Sequence, residues 1–372
     1  MTADGRRRPA APAVSGAAAA SDILRHRLRA QHLTGAGFGS VEEAVAGLLA
    51  VQAQDYGPAR WSLGGRVEGA DDSAVDRALA AGAVLRTHVL RPTWHFVLPA
   101  DLPWLLTATA PRIRARDAGR LRQLGLDSGT LSGAGRLLFE ALAGGRTLTR
   151  DEAAGVLESG GVDTGGQRLP YLLMHAELDA VVCSGPRRGA QHTYMRFEDR
   201  VPAAADLPRD AALARLARRF VTGHGPATAG DLAAWASLTV TEARAALGAP
   251  GDLVRREVAG RVFWSAGAEA ATGDGAPEVR LVHTYDEYIM GFRDSRDLLS
   301  LSGLGLPERW TPLVLVDGRE AGSWRRTLGR EVLVEVVLRR RLSRAELAAL
   351  ESEARRFGVF CGRPLRLAVS PG

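Results

Sequence analysis

Two glutamines separated by a single alanine are the first residues in the chain that could do chemistry. Residues 51–55 read VQAQD, so the amide side chains of Gln52 and Gln54 are two positions apart. On a helix they would point about 200° away from each other, but Gly57-Pro58 predicts that the helix ends here and that both amides turn to one side. Each amide donates and accepts hydrogen bonds, so the pair could hold a water molecule together with a sugar or a base edge. Plain capping of the helix end is the alternative.

A second candidate is the stretch RTHVLRPTWHF at residues 86–96, which is rich in arginine and histidine. Strand alternation puts Thr93 and His95 on one face of a predicted strand, and Arg86 and Arg91 precede them. Arginine, threonine and histidine on a hairpin suit contacts with phosphate and sugar groups. Histidines with a purely structural role are an equal alternative here.

Two adjacent acids form a third candidate. Residues 283–288 read HTYDEY and include Asp286 and Glu287. Acids beside aromatic rings could act as acid or base groups, and they could equally brace a domain junction.

A fourth candidate is an arginine-rich hairpin. Asp317-Gly318 is a turn signal between two predicted strands, and Arg319, Arg325 and Arg326 follow it. Such a hairpin could insert into a nucleic-acid groove as a wedge.

The elements that must position these residues follow a repeated order. The capping pattern Ser/Thr-x-x-Asp/Glu precedes helical runs, and it begins at Ser40, Ser73, Thr149, Thr228 and Thr239, and again at Ser343 in the C-terminal part. Three pairs of strand-like stretches follow these runs, at residues 84–98, 180–197 and 253–265. The order helix, helix, helix, hairpin therefore occurs three times and predicts three winged-helix units. Three generic helical hairpins with incidental strands are the alternative.

A change of pattern marks the C-terminal part. Residues 266–277 are rich in Gly and Ala and predict a linker, after which strands predominate. The predicted fold class is α+β, with tandem winged-helix units followed by a β-rich C-terminal domain. The predicted divisions are a flexible basic tail over 1–20, units at 21–118, 119–205 and 206–268, and the β-rich domain at 278–372.

The charge composition points to a polyanionic partner. The chain has 372 residues and a formal net charge of +6, and all of its 48 Lys+Arg residues are arginine. Arginine suits forked contacts with phosphates and guanine edges. Without lysine, no side-chain amine can form a Schiff base and no P-loop lysine is present, which excludes lysine-dependent aldolases, PLP enzymes and glycosylase/lyases.

Other composition features exclude further classes. Two widely separated cysteines, Cys183 and Cys361, argue against a disulfide framework, a zinc site or an iron–sulfur cluster. No apolar run of about 18 residues is present, so no membrane span is expected. The Ala/Pro-rich start lacks the leucine core of a secretion signal. A cytoplasmic protein without metal or cofactor is expected.

The motifs together resemble the AlkZ/YcaQ type of winged-helix DNA glycosylase, in its glutamine–apolar–glutamine branch. The resemblance runs from Leu28 to the C-terminal strand. Its landmarks are VQAQD at 51–55, RTHVLRPTWHF at 86–96, GPATAGDLAAW at 225–235, YDEYIMGFRD at 285–294 and VDGREAGSWR at 316–325.

The resemblance implies a fold and a function. Tandem winged helices and a barrel-like β element would form a channel for duplex DNA. Proteins similar to this one remove N7-alkylated purines, including bulky adducts and interstrand crosslinks. The expected partner is duplex DNA containing alkylated purines, bound by a monomer that associates with the nucleoid.

The resemblance also assigns roles to the two glutamines, and the arginine- and histidine-rich segments themselves supply the expected contacts with DNA. Gln52 and Gln54 would be catalytic and would position a water molecule at the anomeric carbon of the deoxyribose, and Asp55 is a further candidate for this step. The expected contacts with DNA or the lesion are Arg86, Arg91, Thr93, His95, Arg187, Arg188, Arg319, Arg325 and Arg326.

The missing lysine adds a prediction about the product. No lysine can attack the sugar, so a monofunctional enzyme that leaves an intact abasic site is expected. The main alternative is a winged-helix regulator or a protein that sequesters adducts without chemistry. A metallo-nuclease is a more distant alternative, because no cluster of metal ligands is visible in the sequence.

Overall fold

A computed structural model describes residues 16–267, 275–300 and 311–371. Its helices are α1 Gly16–Ala30, α2 Val41–Leu48, α3 Tyr56–Gly64, α4 Ala74–Ala81, α5 Leu102–Gln123, α6 Ser128–Ala141, α7 Arg150–Ser159, α8 Arg168–Leu178, α9 Arg209–His224, α10 Ala229–Trp235, α11 Val240–Gly248, α12 Glu287–Met290 and α13 Arg344–Phe360. No helix within these ranges is long and apolar enough to cross a lipid bilayer.

The strands form four small sheets. They are β1 Ala50–Gln52, β2 Leu85–Val89, β3 Arg91–Val97, β4 Leu148–Thr149, β5 Val182–Arg188, β6 Gln191–Arg196, β7 Val254–Val258, β8 Arg261–Ser265, β9 Val279–Val282, β10 Leu313–Val316, β11 Arg319–Leu328, β12 Val332–Leu338 and β13 Leu365–Pro371. Together with the helices they give a mixed α+β fold, as predicted.

One topology occurs three times before the linker. The first unit has the order α2, β1, α3, α4, β2, β3 and the sheet order β1-β3-β2. The second unit has the order α6, β4, α7, α8, β5, β6 and the sheet order β4-β6-β5. In the third unit, α9, α10 and α11 lead into β7 and β8, and Ala227 makes a single antiparallel bridge to Trp264 in place of a first strand. Three helices followed by a hairpin are therefore present in each unit, as predicted, although α3 of the first unit was not among the predicted helices.

Side-chain capping explains where many of the helices begin. The hydroxyls of Thr149, Thr228, Thr239 and Ser343 each accept a backbone N–H three residues on, and the acid at that position bonds back to the cap. Each box satisfies two backbone donors that have no partner inside the helix. Ser40 caps α2 with its side chain alone. The starts predicted at these five residues are confirmed.

The segment around the two glutamines differs from its prediction. Helix α2 ends at Leu48 rather than near Val51, because Leu49 has a φ of 68°, which a right-handed helix cannot contain. Residues 50–52 form β1 instead. Gly57-Pro58 lies in the first turn of α3 and does not end a helix. Proline is well tolerated there, because its missing N–H would have no helical partner in the first turn.

Helix α5 is missing from the predicted order of elements. Pro111 lies inside it, and an internal proline ordinarily indicates a helix end. The helix forms because side chains such as Trp104 and Ile113 are buried where α5 packs against α9, α8 and the hairpin of the first unit. The boundary predicted at 118–119 falls inside this helix.

The C-terminal part is an open sheet of five strands. Its order is β13-β12-β11-β10-β9, and β12 and β13 are parallel because α13 connects them. Among the described residues, β9 and β13 are the two edges of this sheet, so the barrel-like closure expected from the resemblance is wrong here. Trp61 of α3 packs on the sheet core beside Trp324 and Phe357, which fixes the sheet to the first unit.

A shared apolar core holds the three units and the C-terminal part together. It contains buried side chains from α1, β2, α8, α9 and α12, among them Leu24, Val89, Met174, Phe220 and Tyr288. Residues from distant parts of the sequence can therefore meet at one site.

Two predicted flexible segments are only partly described. Residues 1–15 of the predicted tail and 268–274 of the predicted linker lie outside the described residues. Helix α1 begins at Gly16, so the last residues of the predicted tail are helical.

Candidate active site

Strand pairing brings the first two sequence motifs together. β1 and β3 are antiparallel, and their register places Gln52 opposite His95. The Ala53 N–H donates to the carbonyl oxygen of Trp94 at 2.7 Å. The glutamine segment and the histidine-rich hairpin therefore form one site on the sheet of the first unit.

Gln52 is held in a fixed orientation. Its side chain is 3% exposed, and its Oε1 accepts a hydrogen bond from Arg91 Nη2 at 2.7 Å. A guanidinium group can only donate, so the amide oxygen must face Arg91. The amide nitrogen of Gln52 has no partner among the described residues, which leaves it able to donate to a ligand.

Gln54 and Asp55 face solvent just beyond β1. The Gln54 Oε1 accepts the backbone N–H of Trp94 at 3.3 Å, so this glutamine also keeps its NH₂ group for a ligand. Asp55 is the N-cap of α3 but makes no side-chain capping bond. The segment therefore offers amide donors, which can orient a water molecule, beside a carboxylate, which can accept its proton.

Arg91 ties the glutamine site to the third unit. Its Nη1 donates to the carbonyl oxygen of Trp235 at 3.0 Å, and its Nη2 lies 3.2 Å from His95 Nε2. Burial lowers the pKa of Arg91, and the charge of Glu287 partly opposes this shift. The arginine was predicted to contact DNA, and the structure shows that it also orients Gln52.

His95 lies in the interior and does not expose its ring to a ligand. Its Nδ1 bonds the carbonyl oxygen of Thr93 at 2.9 Å, while Nε2 faces Arg91. Nδ1 therefore carries the proton and Nε2 accepts, because a carbonyl cannot donate and a guanidinium cannot accept. Burial, together with the charge of Arg91, lowers the pKa of His95 to about 3. The neutral ring helps to orient Arg91.

Glu287 joins the site from the C-terminal part of the chain. Its Oε1 accepts the backbone N–H of Gln52 at 2.7 Å. Its Oε2 accepts the indole N–H of Trp235 at 2.7 Å and lies 3.3 Å from His224 Nε2. Burial would raise the pKa of this carboxyl, but the hydrogen bond from His224 and the charge of Arg91 lower it below its usual value.

Asp286 has a different set of partners from its neighbour. It forms a two-pronged ion pair with Arg66, at 2.9 and 2.7 Å, and also accepts the Ser62 hydroxyl at 2.5 Å. Both charged side chains are almost fully buried. Burial raises the pKa of Asp286, yet Arg66 reverses this and holds it at about 2. The two acids of the sequence motif therefore act at separate places, and Asp286 braces a domain junction.

Arg86 binds the backbone of the glutamine segment. Its Nε donates to the carbonyl oxygen of Ala53 at 3.0 Å, and its guanidinium lies 4.5 Å from the Trp94 ring. Burial lowers the pKa of Arg86 to about 10. The Thr93 hydroxyl is also buried, and it has no partner among the described residues. Both residues were predicted to contact DNA or the lesion, but the structure buries Arg86 and the hydroxyl of Thr93.

Two of the predicted arginines converge on the start of α3. Arg187 forms an ion pair with Asp76 at 2.9 Å and lies 4.5 Å from the Tyr56 ring. Arg326 lies beside Gly57, and the negative charge of Asp55 favours its protonated form. The two guanidinium groups therefore lie next to the first residues of α3, which directly follow Gln54 and Asp55 in the chain.

The remaining predicted arginines lie in other surroundings. Arg188 and Arg325 are exposed and form ion pairs with Glu152 and Glu335. Arg319 faces α1, where it bonds the Ser21 hydroxyl at 3.3 Å.

The glycine of the turn predicted to act as a groove-inserting wedge is packed into the protein. Gly318 is buried, and its carbonyl oxygen accepts the Tyr288 hydroxyl at 3.2 Å. The turn between β11 and β12 is exposed instead, and Leu328 at its edge is 48% exposed. The wedge interpretation of Asp317-Gly318 is therefore wrong.

Sequence reasoning missed two contributors to the site. Trp235 and His224 both contact Glu287 from the third unit. Trp235 ends the motif GPATAGDLAAW, so a signal was present. Nothing in the sequence, however, connects Trp235 to Gln52, which lies more than 180 positions earlier.

A large cleft among the described residues is lined by neither glutamine. It has a volume of about 880 Å³ between α5 and α10, and Arg112, Arg116 and Arg293 line it. Ala234 also lines it and is the sequence neighbour of Trp235, whose carbonyl oxygen holds Arg91. Gln54 and Asp55 themselves lie on an open surface, which suits a macromolecular ligand better than an enclosed small molecule. Within the described ranges, no group of three or more His, Cys, Asp or Glu residues could hold a metal ion.

Two buried neutral histidines predict a loss of stability in mild acid. Burial lowers the pKa of His283 to about 4, and its Nδ1 accepts the Tyr285 N–H at 3.1 Å, a bond that protonation would break. His95 is neutral for the reasons given above. In the unfolded chain both pKa values return to about 6.5, so below that pH the unfolded state binds more protons and stability falls.

We expect the free energy of unfolding to fall by about 1.5 kcal/mol per histidine between pH 6.5 and about pH 5. Urea unfolding at these pH values measures the change. His283→Gln keeps an acceptor for the Tyr285 N–H but cannot titrate, so it should lose less stability in acid than the wild type. Equal losses in the two proteins would contradict the assignment.

Comparisons with known proteins agree with this geometry. The family described as DNA glycosylase AlkZ-like matches residues 45–360. The chain is 25% identical over 332 residues to an interstrand DNA cross-link repair glycosylase from Streptomyces sahachiroi, covering 81% of this chain and 86% of the relative. It superposes on the structure of the Streptomyces sahachiroi DNA glycosylase AlkZ with a TM-score of 0.80 and 23% identity, covering 95% of this chain and 99% of the other. The chain therefore belongs to the AlkZ-like family of DNA glycosylases.

Proposed function

We propose that this protein is a monofunctional DNA glycosylase that hydrolyses the N-glycosidic bond of N7-alkylated purines, including bulky adducts and interstrand crosslinks. The observation that carries the proposal is the exposed pair Gln54 and Asp55, with Gln52 oriented behind it by Arg91. A relative named for interstrand cross-link repair supports crosslinks as one substrate class.

The chemistry of the substrate fits a site of amides. Alkylation at N7 leaves a cationic base, which departs readily because the electrons of the broken glycosidic bond neutralise it. The enzyme then has to place a water molecule at the anomeric carbon as positive charge develops on the sugar. The free NH₂ groups of Gln52 and Gln54 would hold the water oxygen, and Asp55 would accept the proton as the new C–O bond forms. An amide orients water but does not take its proton.

We also infer that the three repeated units are winged helices and that duplex DNA lies across the face carrying Gln54 and Asp55. Support comes from the strand order, because in each unit the first strand or bridge residue pairs with the last strand of the hairpin. The positive charge of Arg187 and Arg326 beside the start of α3 supports the placement of the duplex.

The test is the reaction of duplexes that carry defined N7 adducts, from N7-methylguanine to bulkier alkyl groups. The expected products are the free base and an abasic site in an unbroken strand. Borohydride should trap no covalent complex, because the chain has no lysine to form a Schiff base. Tight binding without base release would instead identify a regulator or a sequestering protein.

Adjacent arginines on β11 allow a matched test of phosphate binding. Arg326 makes no ion pair within the described residues, whereas Arg325 is exposed and paired with Glu335. Arg326→Ala should lower the slope of log affinity against log salt by about 0.9, the value for one released counterion. Arg325 was also predicted to contact DNA, but its charge is already paired with Glu335, so Arg325→Ala should change the slope less than Arg326→Ala does. Equal slopes in both variants and the wild type would remove Arg326 from the DNA-binding surface.

A further inference from the structure

One buried carboxylate contacts the backbone of the proposed catalytic segment from the opposite end of the chain. Glu287 is fully buried at the start of α12. Its Oε1 accepts the Gln52 N–H at 2.7 Å across a sequence separation of 235 residues. Its Oε2 is held by Trp235 and His224 of the third unit. A single side chain therefore joins the first unit, the third unit and the C-terminal part at Gln52.

The same carboxylate supplies charge to the group that orients Gln52. Arg91 is buried, and Glu287 is the negative charge that stabilises its protonated form. Arg91 in turn fixes the amide oxygen of Gln52. Removal of the charge would leave a buried guanidinium without compensation, and such a group shifts towards solvent or another acceptor. Glu287 thus acts on both the backbone and the side chain of Gln52.

We propose that Glu287 is a positioning residue for glycosidic bond hydrolysis, and that the site is complete only when the C-terminal part docks on the first and third units. The proposal rests on the proposed function, because Glu287 acts through Gln52 and does not touch the substrate. It also gives the YDEY motif a divided role, in which Asp286 stabilises the fold and Glu287 orients the site.

The test compares two buried carboxylates in the full-length protein. Glu287→Gln removes the negative charge and replaces one acceptor oxygen with an NH₂ group. This NH₂ group cannot accept a hydrogen bond, so it repels one of the N–H donors that the carboxylate now binds. Single-turnover release of N7-methylguanine should slow by about 10- to 100-fold, the scale expected for a small misplacement in an active site, with the Kd for DNA unchanged. Glu353→Gln is the matched control, because Glu353 is also buried and accepts a backbone N–H, that of Leu281, away from Gln52. The control should retain the wild-type rate even if its melting temperature falls.

A second readout does not depend on activity. Hydrogen–deuterium exchange in the peptide spanning residues 50–54 should speed up in Glu287→Gln and stay slow in Glu353→Gln, because only the first variant weakens the acceptor of the Gln52 N–H. Glu287→Asp keeps the charge but shortens the reach to Gln52, and it should fold and show an intermediate rate. Rates and exchange equal to those of Glu353→Gln would overturn the proposal. Absence of base release by the wild type would instead contradict the proposed function, and the exchange result would still decide whether Glu287 positions Gln52.

Discussion

Replacement of Gln54 by alanine is expected to slow the release of an N7-alkylated base by about 100- to 1000-fold, the usual loss for one oriented donor in an active site. Gln54 is exposed beside Asp55, and its amide nitrogen is available for a ligand. The variant should therefore lose an oriented contact with water while the fold stays intact. Single-turnover kinetics with enzyme in excess separate the chemical step from the affinity for DNA.

Two further variants complete this experiment: Gln52→Ala as a second test and Gln123→Ala as a control. Gln52→Ala should show a loss of the same order, but it also removes the acceptor for Arg91, so its melting curve has to be measured beside its rate. Gln123→Ala is the control, because Gln123 is an exposed glutamine at the end of α5. Wild-type rates in both Gln52→Ala and Gln54→Ala would exclude the glutamines as catalytic residues.

Asp55→Asn decides which group accepts the proton. The asparagine keeps the size of the side chain and loses its basicity. A loss greater than that of Gln54→Ala would identify Asp55 as the proton acceptor, whereas a smaller loss would assign that role to solvent, with the glutamines orienting the water.

Replacement of Asp286 by asparagine is expected to lower the free energy of unfolding by about 3–5 kcal/mol, because it leaves the buried Arg66 without its counter-ion. The pair is almost fully buried and doubly hydrogen bonded, at 2.9 and 2.7 Å. Denaturant unfolding at neutral pH measures the loss directly. This is the largest effect on stability that we expect from a single charge in the C-terminal part.

An exposed pair and a double variant serve as controls. Glu335→Gln breaks the ion pair with Arg325 on the surface and should cost far less stability than Asp286→Asn, because water screens an exposed pair. Arg66→Met combined with Asp286→Asn should be less destabilised than the sum of the two single variants, because no buried charge is left unpaired. Additive losses would show that the two side chains contribute independently.

The sequence by itself determined the features that depend on neighbouring residues. The capping boxes at Thr149, Thr228, Thr239 and Ser343 place helix starts within four residues, and all four are present. The hairpins after them follow from strand alternation and turn residues. The ordered motifs also predicted the family, which the match over residues 45–360 confirms.

Local signals failed where packing outweighed them. Gly57-Pro58 was interpreted as a helix end, yet Pro58 stands in the first turn of α3. Helix α5 was not predicted, and burial of apolar side chains continues it past Pro111. Asp317-Gly318 is a turn as predicted, but packing against Tyr288 buries its glycine, while Asp317 stays exposed.

In the candidate site too, the sequence determined some features and the tertiary structure decided others. The sequence identified Gln52 and Gln54 as a pair, but only the tertiary structure decided that Gln52 is buried and Gln54 exposed. It also decided that Glu287 holds the first of them across 235 positions, and that Arg66 and Asp286 meet across 220. Such pairings gain their strength from burial away from water, and burial is a property of the assembled units that no local stretch of sequence contains.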